Sequence, residues 1–480
     1  MSDSSTNEFK QSLGLLDGTM LVSGAMIGSG IFIVSADMAR NVGSTGWLLL
    51  IWLITGVVTV AAALSYGELA GMMPKAGGQY VYIQRAFGSL TSFVYGWTVF
   101  MVIQTGTIAA VAVAFTKYSA VFFPILNPEN VLFSIGSIKV SLGALFAMLS
   151  IILLTYINTK GVQNGKIIQN VFTIAKLVAL FGLILVGINY GFKSDMFFHN
   201  IADAWSASKA TPDGNSVPLG GLALLMAVGV SMIGSLFSSD AWNNVTFIAG
   251  EMKNPKRDIP LSLFFGTLIV TVLYILANIA YLSILPLKGS PDGINVLTRG
   301  IQFAEYDRVA TAAMSVLFSD AAGIMAILIM ISTFGCNNGL ILAGARLYYA
   351  MAKDGLFLKQ ARELNQHAVP AKALWYQCIW SCLLCLSGTY GDLLNYCTFG
   401  SLVFYIVTIW GIFILRRKEP LTERPYKAFG YPLVPALYIL VTIGICVILL
   451  IDNTTRFNTM MGLIIMGVGI PIYFFTKRRA

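Results

Sequence analysis

Along this chain, long apolar runs alternate with short polar segments. An α-helix needs about 20 apolar residues to cross the hydrocarbon core. Runs of that order occur at approximately 15–40, 45–68, 89–116, 140–157, 167–190, 219–248, 260–285, 317–347, 373–390, 393–415, 431–451 and 458–476. The pattern predicts an all-α integral membrane protein with 12 transmembrane helices. Residues 1–14, MSDSSTNEFKQSLG, are polar and form an N-terminal segment. The first run is too long for a signal-peptide core and no A-x-A site ends it, so it is expected to stay as a span.

Two runs are interrupted at their centres. The first contains MIGSGIF, with Gly28, Ser29 and Gly30 consecutive. Each glycine weakens a helix by about 1 kcal/mol relative to alanine. The sixth, LALLMAVGVSMIGSLFSSDAWNNVTFIAG, holds Ser235-Leu236-Phe237-Ser238-Ser239-Asp240, too polar to face lipid. Each broken run opens a block of five. Five is odd, so the second block enters the membrane from the opposite side, giving inverted repeats over 15–190 and 219–415 with two appended helices over 431–476. Non-helical backbone survives at membrane depth only when buried in protein or lining a cavity. Freed N–H groups attract an anion, and freed carbonyls attract a cation. One such pair suits a zwitterion, most simply an α-amino acid. Gly24-x-x-x-Gly28 is also a helix-packing pattern, and for the first run alone packing is the stronger reading; the matching break reverses that. A dinucleotide fingerprint is excluded, because no strand precedes the glycines and the third is missing.

Composition agrees. Of 480 residues, 56% are hydrophobic and 11% charged, against about 25% charged in soluble proteins. The net charge of +9 points to cytoplasmic loops rather than to nucleic acid. With both termini inside, the inner segments carry 21 Lys/Arg and the outer ones 9. All six cysteines fall within or at the ends of apolar runs without metal-ligand spacing, so neither metal nor disulfide is expected. His199 and His367 fall in loops and no catalytic constellation lies within the spans, so no enzyme and no cofactor is expected. A channel would need a ring of carbonyls or charges.

Lys176 lies nine residues into the fifth run. The nearer end is about 14 Å away at 1.5 Å per residue, beyond comfortable snorkelling, so it is expected to face a cavity or a partner. Asp240 either contacts a cationic group of the substrate or caps the half-helix starting at Ala241-Trp242-Asn243. Ser239 and Asn243 either touch the substrate or satisfy freed backbone. Lys75 and Arg85 read as positive-inside charge and candidate gate contacts.

The stretches MIGSGIF, YGELAGMMPKAGGQYVYIQRAFG, WNNVTFIAGEMKNPKRDIPLSL and RRKEPLTERPYKAFGYPLVP, in this order, resemble the amino acid–polyamine–cation superfamily, and within it the chain looks like a bacterial relative of the L-type amino acid transporters. The resemblance covers residues 10–476. It implies the five-plus-five LeuT-type fold, alternating access and often obligatory exchange in a bacterial inner membrane. It places a substrate carboxylate on the amides of Ser29 and Gly30 with Gly28 supporting the turn. The ammonium meets the carbonyls of Met26 and Phe237, and Asp240. Phe237 is implied as the gate over the substrate. Many L-type relatives have glycine where Asp240 stands, and relatives handling cationic substrates often carry an acid, so cationic substrates stay open beside neutral ones. Lys176 occupies the region where sodium-coupled relatives hold sodium, its ammonium linking the first break to Ser332 and Thr333. That implies a sodium-independent transporter, with proton-coupled amino acid or polyamine uptake as the alternative. Mammalian relatives bond a heavy subunit through a cysteine outside the third span; residues 117–139 contain none, so no disulfide-linked heavy subunit is expected.

Overall fold

A computed structural model describes residues 13–477 apart from 75–76, 136–137, 319 and 387–388. Lys75 and most of segment 1–14 lie outside the described residues. The helices are α1 (Leu15–Met26), α2 (Val34–Val42), α3 (Thr45–Met72), α4 (Gln79–Phe87), α5 (Ser89–Thr98), α6 (Gln104–Ser119), α7 (Leu142–Thr159), α8 (Val162–Gly191), α9 (Met196–Ile201), α10 (Gly221–Ser238), α11 (Pro255–Ile284), α12 (Val296–Arg299), α13 (Val309–Ser315), α14 (Ala321–Lys353), α15 (Ala371–Leu384), α16 (Tyr390–Lys418), α17 (Leu433–Ile451) and α18 (Arg456–Lys477). Among the described residues, ten helical stretches are long and apolar enough to cross a membrane. Two antiparallel hairpins, β1 (Val131–Ile135) with β2 (Ile138–Ser141) and β3 (Ser208–Ala210) with β4 (Ser216–Pro218), sit in loops.

Local chemistry sets several boundaries. The Ser44 hydroxyl caps α3 by accepting from the Trp47 N–H at 3.4 Å, and Ser141 caps α7 by accepting from Ala144 at 3.1 Å. Gly43, at φ 49°, ends α2 in the left-handed conformation that glycine tolerates.

Four runs depart from a simple single-helix reading. The run at 15–40 is two helices, α1 and α2, separated by a turn, and reaches Val42. The run at 219–248 is α10 followed by a 3-10 stretch, Trp242–Glu251. The run at 373–390 yields only α15, which stops at Leu384. The third run also carries a π turn, Val99–Ile103, between α5 and α6.

The two broken runs cross near their interruptions. α2 packs on α10, while α1 packs on the stretch Trp242–Glu251. The outgoing half of one thus lies beside the incoming half of the other, so they run antiparallel. Around them, α11 packs on α1, α3 and α8, and α14 packs on α6 and α8. The breaks therefore sit at the centre of the helix assembly, as unwound backbone in a membrane requires.

Candidate functional site

α1 stops at Met26 because Ile27 turns extended, with ψ 91°. A helix end leaves its last four carbonyls without helical partners, and here side chains from three other helices supply donors. Lys176 of α8 donates from Nζ to the Gly24 carbonyl at 2.6 Å. Tyr274 of α11 donates to the Met26 carbonyl at 2.9 Å. The Cys336 thiol of α14 lies 3.9 Å from the Ala25 carbonyl. Past the break, Tyr281 donates to the Ile31 carbonyl at 3.2 Å and Tyr118 to that of Phe32 at 2.8 Å.

The amides of the break are in the opposite situation. The N–H groups of Ile27, Phe32 and Ile33 donate within the local turn. Among the described residues, those of Gly28, Ser29, Gly30 and Ile31 have no acceptor. Consecutive free donors of this kind can attract an anion. Gly30 is needed at this point for closeness. A Cβ there would stand 2.0 Å from Ser238 Oγ and 2.9 Å from Ser238 Cα, so the two breaks touch with nothing between them.

In the second break α10 ends at Ser238, whose carbonyl accepts from the same Tyr274 hydroxyl at 3.0 Å. One phenol thus bridges both breaks. Ala241 then takes a left-handed conformation, φ 66°. Such a residue costs of order 1–3 kcal/mol and persists only where its surroundings enforce it. The enforcement comes from both sides. The Asp240 carboxylate accepts from the hydroxyls of Tyr405 and of Ser401, the latter at 3.2 Å. Trp242 packs against the Tyr66 and Tyr405 rings, centroids 4.8 and 5.2 Å away.

This geometry corrects the capping account of Asp240. The cap position before Trp242 is Ala241, and it makes no side-chain cap bond. Asp240 points instead to α16, and among the described residues no Lys or Arg lies within salt-bridge reach of it.

A cavity of about 70 Å³ lies on the α1 side of the breaks. Met26, Gly28, Ser29, Gly30, Phe237, Asp240 and Asn243 all line it. Asn243 donates to Gln79 Oε1 at 3.2 Å. That oxygen also receives the Tyr95 hydroxyl at 3.1 Å, while Gln79 Nε2 donates to Thr408 at 3.0 Å. A wider cavity, about 930 Å³, lies on the α2 side and is lined by Asp37, Arg40, Lys117 and Tyr390 among others.

The triad Lys176, Ser332 and Thr333 does not form as expected. Lys176 is fully buried and reaches the first break, but no bond runs from it to Ser332 or Thr333. Thr333 turns back to its own helix, donating to Ile329 and Met330 carbonyls at 2.9 and 3.0 Å. The Ser332 hydroxyl is buried without a hydrogen-bond partner. A hydroxyl at helical depth competes well for the carbonyl four residues back, and Thr333 does so here. None of the three lines the cavity.

The residues that sequence reasoning missed are mostly tyrosines. Tyr274, Asn278 and Tyr281 stand at i, i+4 and i+7 of α11, one face of a helix. They form a polar stripe that meets the first break, where Ser35 donates to Asn278 at 2.7 Å. That spacing was available as a signal, but tyrosine passes unnoticed in an apolar run.

A family model described as amino acid permease matches residues 13–470. The large neutral amino acids transporter small subunit 2 of mouse is 30% identical over 473 residues, covering 97% of this chain and 81% of the mouse protein. The human protein of the same name is also 30% identical, covering 97% and 80%. The mouse b(0,+)-type amino acid transporter 1 is 29% identical, covering 91% and 82%.

Proposed function

Given that this chain belongs to the amino acid permease family, and is an amino acid transporter of the membrane rather than an enzyme, we propose that it exchanges neutral L-amino acids, and cationic ones as a second class, by sodium-independent alternating access. One observation carries this reading: three of the four free amides, those of Gly28, Ser29 and Gly30, belong to residues that line the same cavity as Asp240. The first group is complementary to a carboxylate and the second to a cation, so an α-amino acid meets a matched partner at each end. The carbonyls of Met26 and Phe237 add acceptors for the ammonium. Phe237, with its ring on the cavity wall, is the gate over the bound substrate. Asn243 and its Gln79 network form the polar floor.

Lys176 supplies a fixed positive charge beside the first break, in place of a sodium ion. Asp240 and Lys176 are also the observations that favour the second reading, proton-coupled uptake, since both are ionisable and neither has an ion-pair partner among the described residues.

The same proposal reads residues 15–190 and 219–415 as inverted five-helix repeats with 431–476 appended, twelve spans in all, and both termini in the cytoplasm of a bacterial cell. The antiparallel crossing of the two broken runs supports this pairing. Two of the relatives are named as small subunits. All six cysteines here are buried, and the proposal includes no disulfide-linked companion.

The test is counterflow in proteoliposomes. Vesicles loaded with unlabelled amino acid are expected to take up the labelled L-form in saturable, stereoselective fashion, equally in sodium and choline buffers. Uptake that ignores internal substrate and follows an inward proton gradient would establish the second reading instead; unsaturable flux would sink both. In the same vesicles, Asp240→Asn is expected to weaken competition by arginine more than by alanine. Equal loss for the two would limit Asp240 to holding the ammonium or the loop.

A further inference from the structure

The two cavities approach each other at a thin partition that the transport reading leaves unassigned. Tyr390, the first residue of α16, lines the cavity on the α2 side. Ser29 and Phe237 line the cavity on the α1 side. The Tyr390 hydroxyl lies 3.1 Å from Ser29 Oγ, and its ring meets Phe237 edge-on with centroids 6.2 Å apart. Tyr390 is therefore the group that stands between one aqueous space and the other.

Its far face is braced. The Lys117 ammonium sits 5.4 Å from the centroid of the Tyr390 ring, in range for a cation–π contact. Lys117 is in turn held by Asp307 at 3.7 Å and by the Tyr306 carbonyl at 3.3 Å. Asp307 also pairs with Arg40 of α2 at 2.7 Å. Tyr306 and Asp307 both adopt left-handed backbone, φ 52° and 62°, a conformation held only under constraint. The brace thus joins α2, the end of α6 and the connection between α12 and α13.

Resting on the transport reading above, we propose that Tyr390 is a gate leaf between the two cavities, latched to Ser29 and Phe237 and clamped from the α2 side by the Lys117–Asp307–Arg40 cluster. The latch touches the anion site directly. A carboxylate bound on the Ser29 amide would lie beside the hydroxyl that holds the latch, which places substrate arrival next to the leaf.

A native thiol reads the partition without any substrate. Cys336 lines the α1-side cavity, whereas Cys385 lines the α2-side one. A membrane-impermeant methanethiosulfonate is applied from the α2 side of oriented vesicles, and the rate at each cysteine is followed by peptide mass. Cys385 is the internal reference. Tyr390→Phe keeps the ring and loses the Ser29 bond, so Cys336 is expected to react about fivefold faster. Lys117→Met is expected to act similarly. Tyr390→Ala, which also removes both ring contacts, is expected to exceed about tenfold.

Unchanged Cys336 rates in Tyr390→Phe and Lys117→Met would overturn the proposal. So would an equal acceleration from the α1 side, which marks general loosening. If Tyr390→Ala does not fold, the two milder variants decide. Counterflow is measured in parallel: its absence in the wild type defeats the transport reading, while the labelling result bears on the partition alone.

Discussion

Tyr274 shows how little side-chain chemistry is needed to keep two unwound segments in a membrane. Its single hydroxyl reaches the carbonyls of Met26 and Ser238, one from each break. A buried acceptor stripped of its donor costs about 1–3 kcal/mol. Tyr274→Phe therefore strands two, and thermal unfolding in detergent is expected to show a clear loss of stability together with slower counterflow. Tyr281→Phe, which strands only the Ile31 carbonyl, is expected to lose less. Gly30→Ala tests the close contact. The nearest obstacle includes the Ser238 Cα, part of the backbone, which cannot rotate aside. Transport is expected to fall more than about tenfold, since overpacking costs typically 1–3 kcal/mol, while the protein still inserts. Residues of this kind differ in how visible they are in the sequence. Gly28 to Gly30, Asp240 and Lys176 are legible because each is out of place in an apolar run. The tyrosines that satisfy the breaks are not, because an aromatic residue fits such a run whether or not its hydroxyl is used. Asp240 was visible as a residue, yet its partners Ser401 and Tyr405 lie on a distant helix and only the fold selects them over a cap.

Among the elements, the connection from α16 to α17 does more than join two helices. Glu68, near the end of α3 and 1% exposed, accepts from Arg416 at 2.9 and 2.6 Å and from the Ala428 N–H at 2.7 Å. Arg424 stands 3.2 Å from the same carboxylate. Arg424 also donates to the Leu415 and Glu419 carbonyls at 3.2 and 3.0 Å, closing the C-terminus of α16. A second tie holds α4: Arg85 donates to both Glu419 oxygens, one at 3.0 Å. That guanidinium holds the Glu419 carboxyl below its ordinary value of 4.5. The tie contributes fully above that value and is lost as pH falls from it through the lowered one. Both side chains are partly exposed, so the contribution is below about 1 kcal/mol. Unfolding temperatures between pH 6 and pH 3 are expected to fall more steeply in the wild type than in Arg85→Gln. A variant with the same slope would show that the pair carries no stability. The stretches containing Glu68 and Arg416 are both conspicuous as motifs, but their pairing is not. The partners stand 348 positions apart, and nothing local marks one for the other. One helix boundary failed for a related reason: α15 ends early, at Leu384, because a turn inside an apolar segment leaves hydropathy almost unchanged.

For the whole molecule, the sequence pattern was most informative, since odd-numbered blocks each opened by a broken run imply opposite entry into the membrane. What it left open was contact. Nothing in the pattern says that the breaks meet at Gly30 and Ser238 with backbone against side chain. The orientation has a direct check. Protease sites placed at the two chain ends are expected to be cut from the same face of the membrane, the cytoplasmic one; cleavage from opposite faces would remove the twelve-span reading while leaving the site chemistry in place. The crossing itself has a mechanical consequence. Two antiparallel rods that touch at mid-length, with only the small Ser238 side chain between their backbones, have a fulcrum there. Any tilt that parts them at one end brings them together at the other, so the paths from the two faces open in opposition without a separate signal passing between them. On the proposed reading, the point of least displacement is also where the substrate's charged ends would be held, so the cargo would stay gripped while the walls around it change places.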